Sequence, residues 1–203
     1  MKSRTATMRL PKAAHTSRPW RIHDIARDFQ VEDVWALPTP GGPGELPVLV
    51  EQFFASDFPD GAPLIVRALW EARWKIGALF DWDEGSGLGS RVASLKERLP
   101  TDITAAAPAP DFEPFTPLYL LDDEWAAEIA NRTVHAVMHL SWVSEESGGY
   151  RGQMAVLVKP NGWFGAAYML AIKPVRYLLV YPALLRRLEH TWRPGVRDGQ
   201  APR

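Results

Sequence analysis

The sequence predicts an α+β domain: antiparallel strands packed on one long C-terminal helix, with two shorter helices after a first strand. Three observations predict it. Apolar residues recur at three and four between Pro63 and Trp82, the helical period. They alternate from Thr133 to Val143 and from Tyr150 to Lys159, on either side of a turn containing Gly148 and Gly149, which reads as a β-hairpin. A long apolar run then extends from Trp163 to about Trp192, broken by Pro174 and Pro182.

Residues 1–18 carry Lys2, Arg4, Arg9, Lys12 and Arg18, no acidic residue and no periodicity, so they read as a disordered basic tail. A secretory signal is excluded because no apolar stretch follows the charges. The ordered domain is expected over residues 19–192, and residues 193–203 read as a flexible C-terminal tail. Arg21 to Ala36 reads as a strand or as two short pieces. Thr39 to Gly44 is a loop by its Pro and Gly content. Leu46 to Phe54 is a short helix with Pro47 in its first turn, where a missing N–H costs little. Pro63 to Trp82 is the clearer helix, and it sets Trp70 and Trp74 side by side at a spacing of four. Gly85 to Ser90 is a flexible loop, Arg91 to Leu99 a short helix that Pro100 stops, and Ala105 to Pro114 a connector.

The period then changes. Thr116 to Leu121 and Trp125 to Ala130 are short strands, with the acidic Asp122-Asp123-Glu124 between them. In the hairpin, Val134, Ala136, Met138, Leu140 and Trp142 share one face, and Thr133, His135, Val137, His139 and Ser141 the other. Trp125 to Val143 can also be drawn as a helix. In the last helix, Phe164, Tyr168, Ala171, Ile172, Val175, Leu179, Pro182 and Leu185 fall on one broad stripe, with kinks expected at Pro174 and Pro182. This segment is long enough for a membrane span, which needs about 20 residues. Lys173 and Arg176 near its middle would each cost about 3 kcal/mol there. A helix lying across a sheet is therefore expected instead, and with it a cytoplasmic protein. Arg176, Arg186 and Arg187 leave peripheral membrane contact as an alternative.

Composition excludes several chemistries. With 203 residues the chain is expected to form one domain, at most two small ones, able to bury roughly 70% of its unfolded surface. Its 23 basic and 24 acidic residues argue against a nucleic-acid partner. The absence of cysteine removes disulfides, thiolate metal sites and thiol nucleophiles. Nine tryptophans are the unusual feature.

Certain segments resemble a known family. They are Leu118 to Glu124, Glu128 to His135, Lys159-Pro160-Asn161-Gly162 and Ile172-Lys173-Pro174. They are similar to those of an uncharacterised bacterial domain-of-unknown-function family allied to the START-like superfamily of polyketide cyclases and lipid-transfer domains. The resemblance spans roughly residues 20–190. It implies a helix-grip fold, a curved antiparallel sheet wrapped around the long C-terminal helix, with a cavity between them. Some members are fused to short-chain reductase domains, which implies a reductase partner as one alternative.

Individual motifs carry little chemistry. His135 and His139 have the spacing of a helical zinc motif, but Ala136 stands where a metalloprotease needs Glu. On a strand, four residues span about 13 Å, too far for two nitrogens each about 2.1 Å from one zinc. The pair is expected on the outer face of the sheet. Gly85 to Gly89 lacks a phosphate-loop Lys and the dinucleotide fingerprint. Asp81, Asp83 and Glu84 read as a solvated turn, as do Asp122, Asp123 and Glu124. Glu128 and His135 would suit acid–base work, but nothing in the sequence brings them together.

The expected function is a binding module holding a hydrophobic or aromatic small molecule between sheet and helix. Trp70, Arg73, Trp74, Tyr119, Met138, Trp142, Met154 and Tyr168 are its expected lining, and no metal or cofactor is expected. One alternative is a cyclase or dehydratase in the same cavity, with Tyr119, Arg73 or a histidine polarising a carbonyl. The other is an accessory interaction domain for a reductase or membrane partner, which predicts an exposed apolar patch.

Overall fold

The computed structural model describes residues 8–54, 93–104, 115–130, 134–146, 148–160 and 162–194. The expected helix over Pro63–Trp82, with Trp70, Arg73 and Trp74, lies outside the described residues, as does the Gly85–Ser90 loop.

Five strands form one antiparallel sheet in the order β1-β5-β4-β3-β2. They are β1 (Gln30–Gly41), β2 (Thr116–Leu120), β3 (Glu124–Ala130), β4 (Val134–Ser144) and β5 (Tyr150–Pro160). The β4–β5 hairpin pairs without interruption from Val134 opposite Pro160 to Ser144 opposite Tyr150. Gly148 and Gly149 turn it with φ of 83° and 88°, a region that costs glycine nothing. β1 runs on through Pro38 and Pro40, where punctuation had suggested a loop. It is an edge strand with a register shift between Ala36 and Pro40, the two places where proline is tolerated in a sheet.

The helices are α1 (Ala13–Thr16), α2 (Ile22–Ile25), α3 (Leu46–Phe54), α4 (Thr101–Thr104), α5 (Gly162–Val175) and α6 (Tyr181–Thr191). Of the helix expected over Arg91–Leu99, the described residues show a 3-10 turn over Leu95–Arg98, capped by the Ser94 hydroxyl. A π turn over Arg176–Val180 joins α5 to α6, so the C-terminal segment is helical throughout. The expected break thus falls between Pro174 and Pro182, where two missing backbone donors weaken the regular ladder.

The alternation predicted for β4 and β5 holds, and it divides the core. On one face, Trp35, Leu37, Trp125, Leu140, Trp142 and Met154 pack against α3 and against Tyr181, Leu185 and Leu188 of α6. Gly152 lets α3 come close: a Cβ there would stand 2.7 Å from Leu49 and 2.8 Å from the Thr39 hydroxyl. The domain is therefore an α+β fold in the helix-grip arrangement. The expected helix stripe is corrected in part. Ala171, placed on the stripe, is exposed; Leu170 and Leu178, which lie off it, are 71% and 72% exposed. Among the described residues no helix is long and apolar enough to cross a membrane.

The opposite face was expected to be the outer one, and it is not. Residues 8–29 and 93–104 cover it, and Trp20, Ile22, Ile25, Leu95 and Ile103 pack on Tyr119, Ala126, Val137 and Leu157. The disordered tail is corrected for residues 8–18. Leu10 donates its N–H to Val34 at 2.9 Å along the β1 edge, and His15 is fully buried. Charge without periodicity resembled disorder, but Leu10, Ala14 and His15 supply the burial that holds this stretch down.

Candidate functional site

Each face of the sheet carries a buried carboxylate cluster. On the face toward the C-terminal helix the central group is Asp33 of β1, 1% exposed. A buried carboxylate needs partners to offset lost hydration. Tyr177 donates its hydroxyl proton to Oδ1. Tyr181 donates to Oδ2 at 2.7 Å, and Arg176 Nη2 stands 3.4 Å from the same oxygen. Arg176 also reaches Glu32 at 3.2 Å, and Lys173 lies 3.7 Å from it. The π turn makes this convergence: its wider winding aims Arg176, Tyr177 and Tyr181 at one strand. Such turns recur at functional sites. Burial, followed by the Asp33 charge, pushes the Tyr181 phenol well above its usual range, so its proton stays in place.

Beside Asp33 stands Trp35, with its ring 4.6 Å from Tyr181 and 5.9 Å from Tyr177. Trp35 is 3% exposed, and its indole N–H has no hydrogen-bond partner among the described residues. The aromatic layer continues through Phe54, whose ring lies 5.1 Å from Trp125 and 6.2 Å from Phe115. Outside the β1 edge, Arg9, Leu10, Pro11, Lys12, Glu32, Asp33 and Val34 enclose a groove of about 300 Å³.

The second cluster lies under the N-terminal cover. Glu124 of β3, the last of the three acids expected in a solvated turn, is 3% exposed. It accepts from His139 Nε2 at 2.9 Å, from the Tyr119 hydroxyl at 3.0 Å and from the Arg21 backbone N–H at 2.8 Å. His139 Nε2 faces a carboxylate, so it carries the proton, and Nδ1 accepts from His15 Nε2 at 3.0 Å. Burial alone would raise the Glu124 carboxyl, but these donors, His139 foremost, hold it below its usual range. Burial lowers His139, and Glu124 only partly opposes this. Burial again, then His139 and His23, push His15 down to about 2. The relay therefore holds two neutral imidazoles on one carboxylate.

Glu128, also on β3, repeats the device. It accepts from His135 Nε2 at 2.7 Å, from the Ser94 hydroxyl at 2.5 Å and from the Leu95 N–H at 3.0 Å. Glu124 pins the N-terminal cover and Glu128 pins residues 93–104. The pairing of Glu128 with His135, which the sequence left open, is thus real, but it lies in a sealed layer. Among the described residues no three or more His, Asp or Glu side chains are placed to hold a metal ion together.

The expected lining is divided. Met154 and Trp142 are 1% and 4% exposed on the helix face, with Met138 packed against the same layer. Trp142 donates its indole N–H to Gly42 O at 2.7 Å, and its ring lies 5.9 Å from that of Trp192 at a tilt of 43°. Tyr119 lies on the opposite face with the histidines. Tyr168 falls within α5, but its side chain is outside the described residues. Sequence reading missed Asp33, Trp35, Tyr177 and Tyr181. The available signal was an acid next to two β-formers on an edge strand, together with two tyrosines four apart on the long helix.

An open five-stranded antiparallel sheet packed on a long C-terminal helix with a π turn at its middle, and with an aromatic layer and a caged carboxylate between them, defines a helix-grip α+β protein. The chain belongs to the family described as Protein of unknown function (DUF2867), whose model matches residues 25–183. No curated protein and no solved structure matches the chain.

Proposed function

We propose that this is a binding module of the START-like kind, holding a hydrophobic or aromatic small molecule between the sheet and the C-terminal helix. The observation that carries this is Trp35. A buried donor without a partner costs about 1–3 kcal/mol, so an unpartnered indole N–H inside an aromatic layer suits a ligand that accepts it. Pockets for such ligands combine apolar walls with a few orienting polar groups. The tyrosine hydroxyls beside it already donate to Asp33, and the Tyr181 proton is held tightly. They anchor the helix and have no proton to offer a substrate, which favours binding over a cyclase or dehydratase reaction. Tyr119 and the histidines are separated from this layer by the sheet.

Native mass spectrometry of freshly purified full-length protein tests the reading. The expected result is a co-purifying apolar mass that is retained by wild type and reduced at least tenfold in Trp35→Phe, with an unchanged melting temperature. Equal retention by Trp35→Phe would remove Trp35 from the site, and a bare mass from every preparation and added ligand would sink the reading. A second reading, contact with a membrane or protein partner, is supported by exposed Leu170 and Leu178. Vesicle co-sedimentation that disappears in Leu170→Ser/Leu178→Ser would favour it.

A further inference from the structure

We propose that the groove outside the β1 edge receives an anionic group, a carboxylate or a phosphate, so that the ligand of this domain is an amphipathic anion. This rests on the reading that the neighbouring aromatic layer binds the apolar part.

The groove encloses about 300 Å³, enough for a headgroup and the first part of a chain. Two cationic side chains, Arg9 and Lys12, line it, and Arg176 and Lys173 contact the carboxylates of Glu32 and Asp33, which line it too. The two carboxylates are already matched. Asp33 is capped by Tyr177, Tyr181 and Arg176, and Glu32 meets Lys173 and Arg176. Arg9 and Lys12 have no acidic partner among the described residues. The Arg9 guanidinium instead sits 4.6 Å over the Tyr177 ring, which orients the cation and leaves its N–H groups for another acceptor. Arg176, paired with Asp33 and Glu32 through Nη2, keeps its Nε buried without a partner among the described residues.

The groove also adjoins the aromatic layer. Asp33 lines the groove and accepts from both tyrosines that flank Trp35, and the backbone of Arg9 forms a bridge to Trp35 itself. A charged head held by Arg9 and Lys12 would therefore lie at one end of the layer while the apolar remainder enters between sheet and helix. Arginine suits this task, since its planar fork meets carboxylate and phosphate oxygens in pairs.

The experiment is isothermal titration calorimetry of the full-length chain with decanoate, decyl phosphate, 1-decanol and inorganic phosphate, repeated on Arg9→Gln/Lys12→Gln. Decanoate and decyl phosphate are expected to bind at least tenfold more tightly than decanol in wild type. The double variant should erase that preference and leave decanol binding and the near-UV circular dichroism unchanged. Decanol binding as tightly as decanoate overturns the anion site while the apolar-ligand reading stands. Inorganic phosphate binding that needs Arg9 and Lys12, with no binding of decanoate or decanol, supports the anion site and overturns the apolar-ligand reading. No binding by any of the four overturns both.

Discussion

His15 shows how much a single side chain decides in this molecule. It is fully buried, it donates to His139, and its pKa is pushed down to about 2 by burial first and by the neighbouring imidazoles second. In the unfolded chain the same group titrates near 6.5. Because the folded state resists the proton, its stabilising contribution is complete above pH 6.5 and declines as pH falls toward 2. The slope is about 1.4 kcal/mol per pH unit for each such histidine, and His139 shifts in the same direction. Urea denaturation at pH 7.5, 5.5 and 4.5 should therefore show a steadily falling unfolding free energy. A flat profile across that range would mean that the imidazoles are not held neutral. Individual residues were the least legible scale from sequence. A histidine on the polar side of an alternating strand looks the same whether water or a second layer covers it, and the covering residues lie more than a hundred positions away.

At the scale of elements, periodicity reported most of the sheet. β4, β5 and α3 stand where alternation and helical spacing placed them, and in the strands the more apolar face meets α3 and α6 while the more polar one lies under the second cover. Two elements escaped. β1 continues through prolines that signal a loop, since an edge strand has ladder positions where no donor is needed. The π turn left no pattern of its own, and Pro174 and Pro182 marked only the neighbourhood. One close approach is directly testable. Gly152→Ala would drive a methyl group into Leu49 and Thr39, whose hydroxyl accepts the Gly152 N–H at 3.0 Å. Overpacking of this kind costs about 1–3 kcal/mol, read as a lower chemical-denaturation midpoint at constant m-value. A neutral Gly152→Ala would show that α3 does not press on β5 in this way.

The whole molecule is a sheet buried on both faces, and the two buried clusters have different roles. Glu124 and Glu128 fasten the N-terminal segment and residues 93–104 onto one face, where the carboxylates accept from backbone and side-chain donors of those segments and from the β4 histidines. This second cover was not legible, because residues 8–18 carry no periodicity and a basic run that suggests a tail. Removing residues 1–17 should strip His15 from His139, uncover Trp20 and lower stability by at least about 2 kcal/mol, measured by thermal circular dichroism. An unchanged melting temperature would return that segment to the status of a tail. Both faces hold an indole N–H without a partner among the described residues, Trp20 on this one and Trp35 on the other, but only Trp35 lies next to a groove with two unmatched cations. On the proposed reading, ligand binding belongs to the helix face and structural fastening to the other. The most direct test is the decanoate affinity of wild type, Trp35→Phe and Glu124→Gln under one condition, with folding checked by near-UV circular dichroism. The account predicts a loss of at least tenfold for Trp35→Phe and none for folded Glu124→Gln; the reverse order would contradict it.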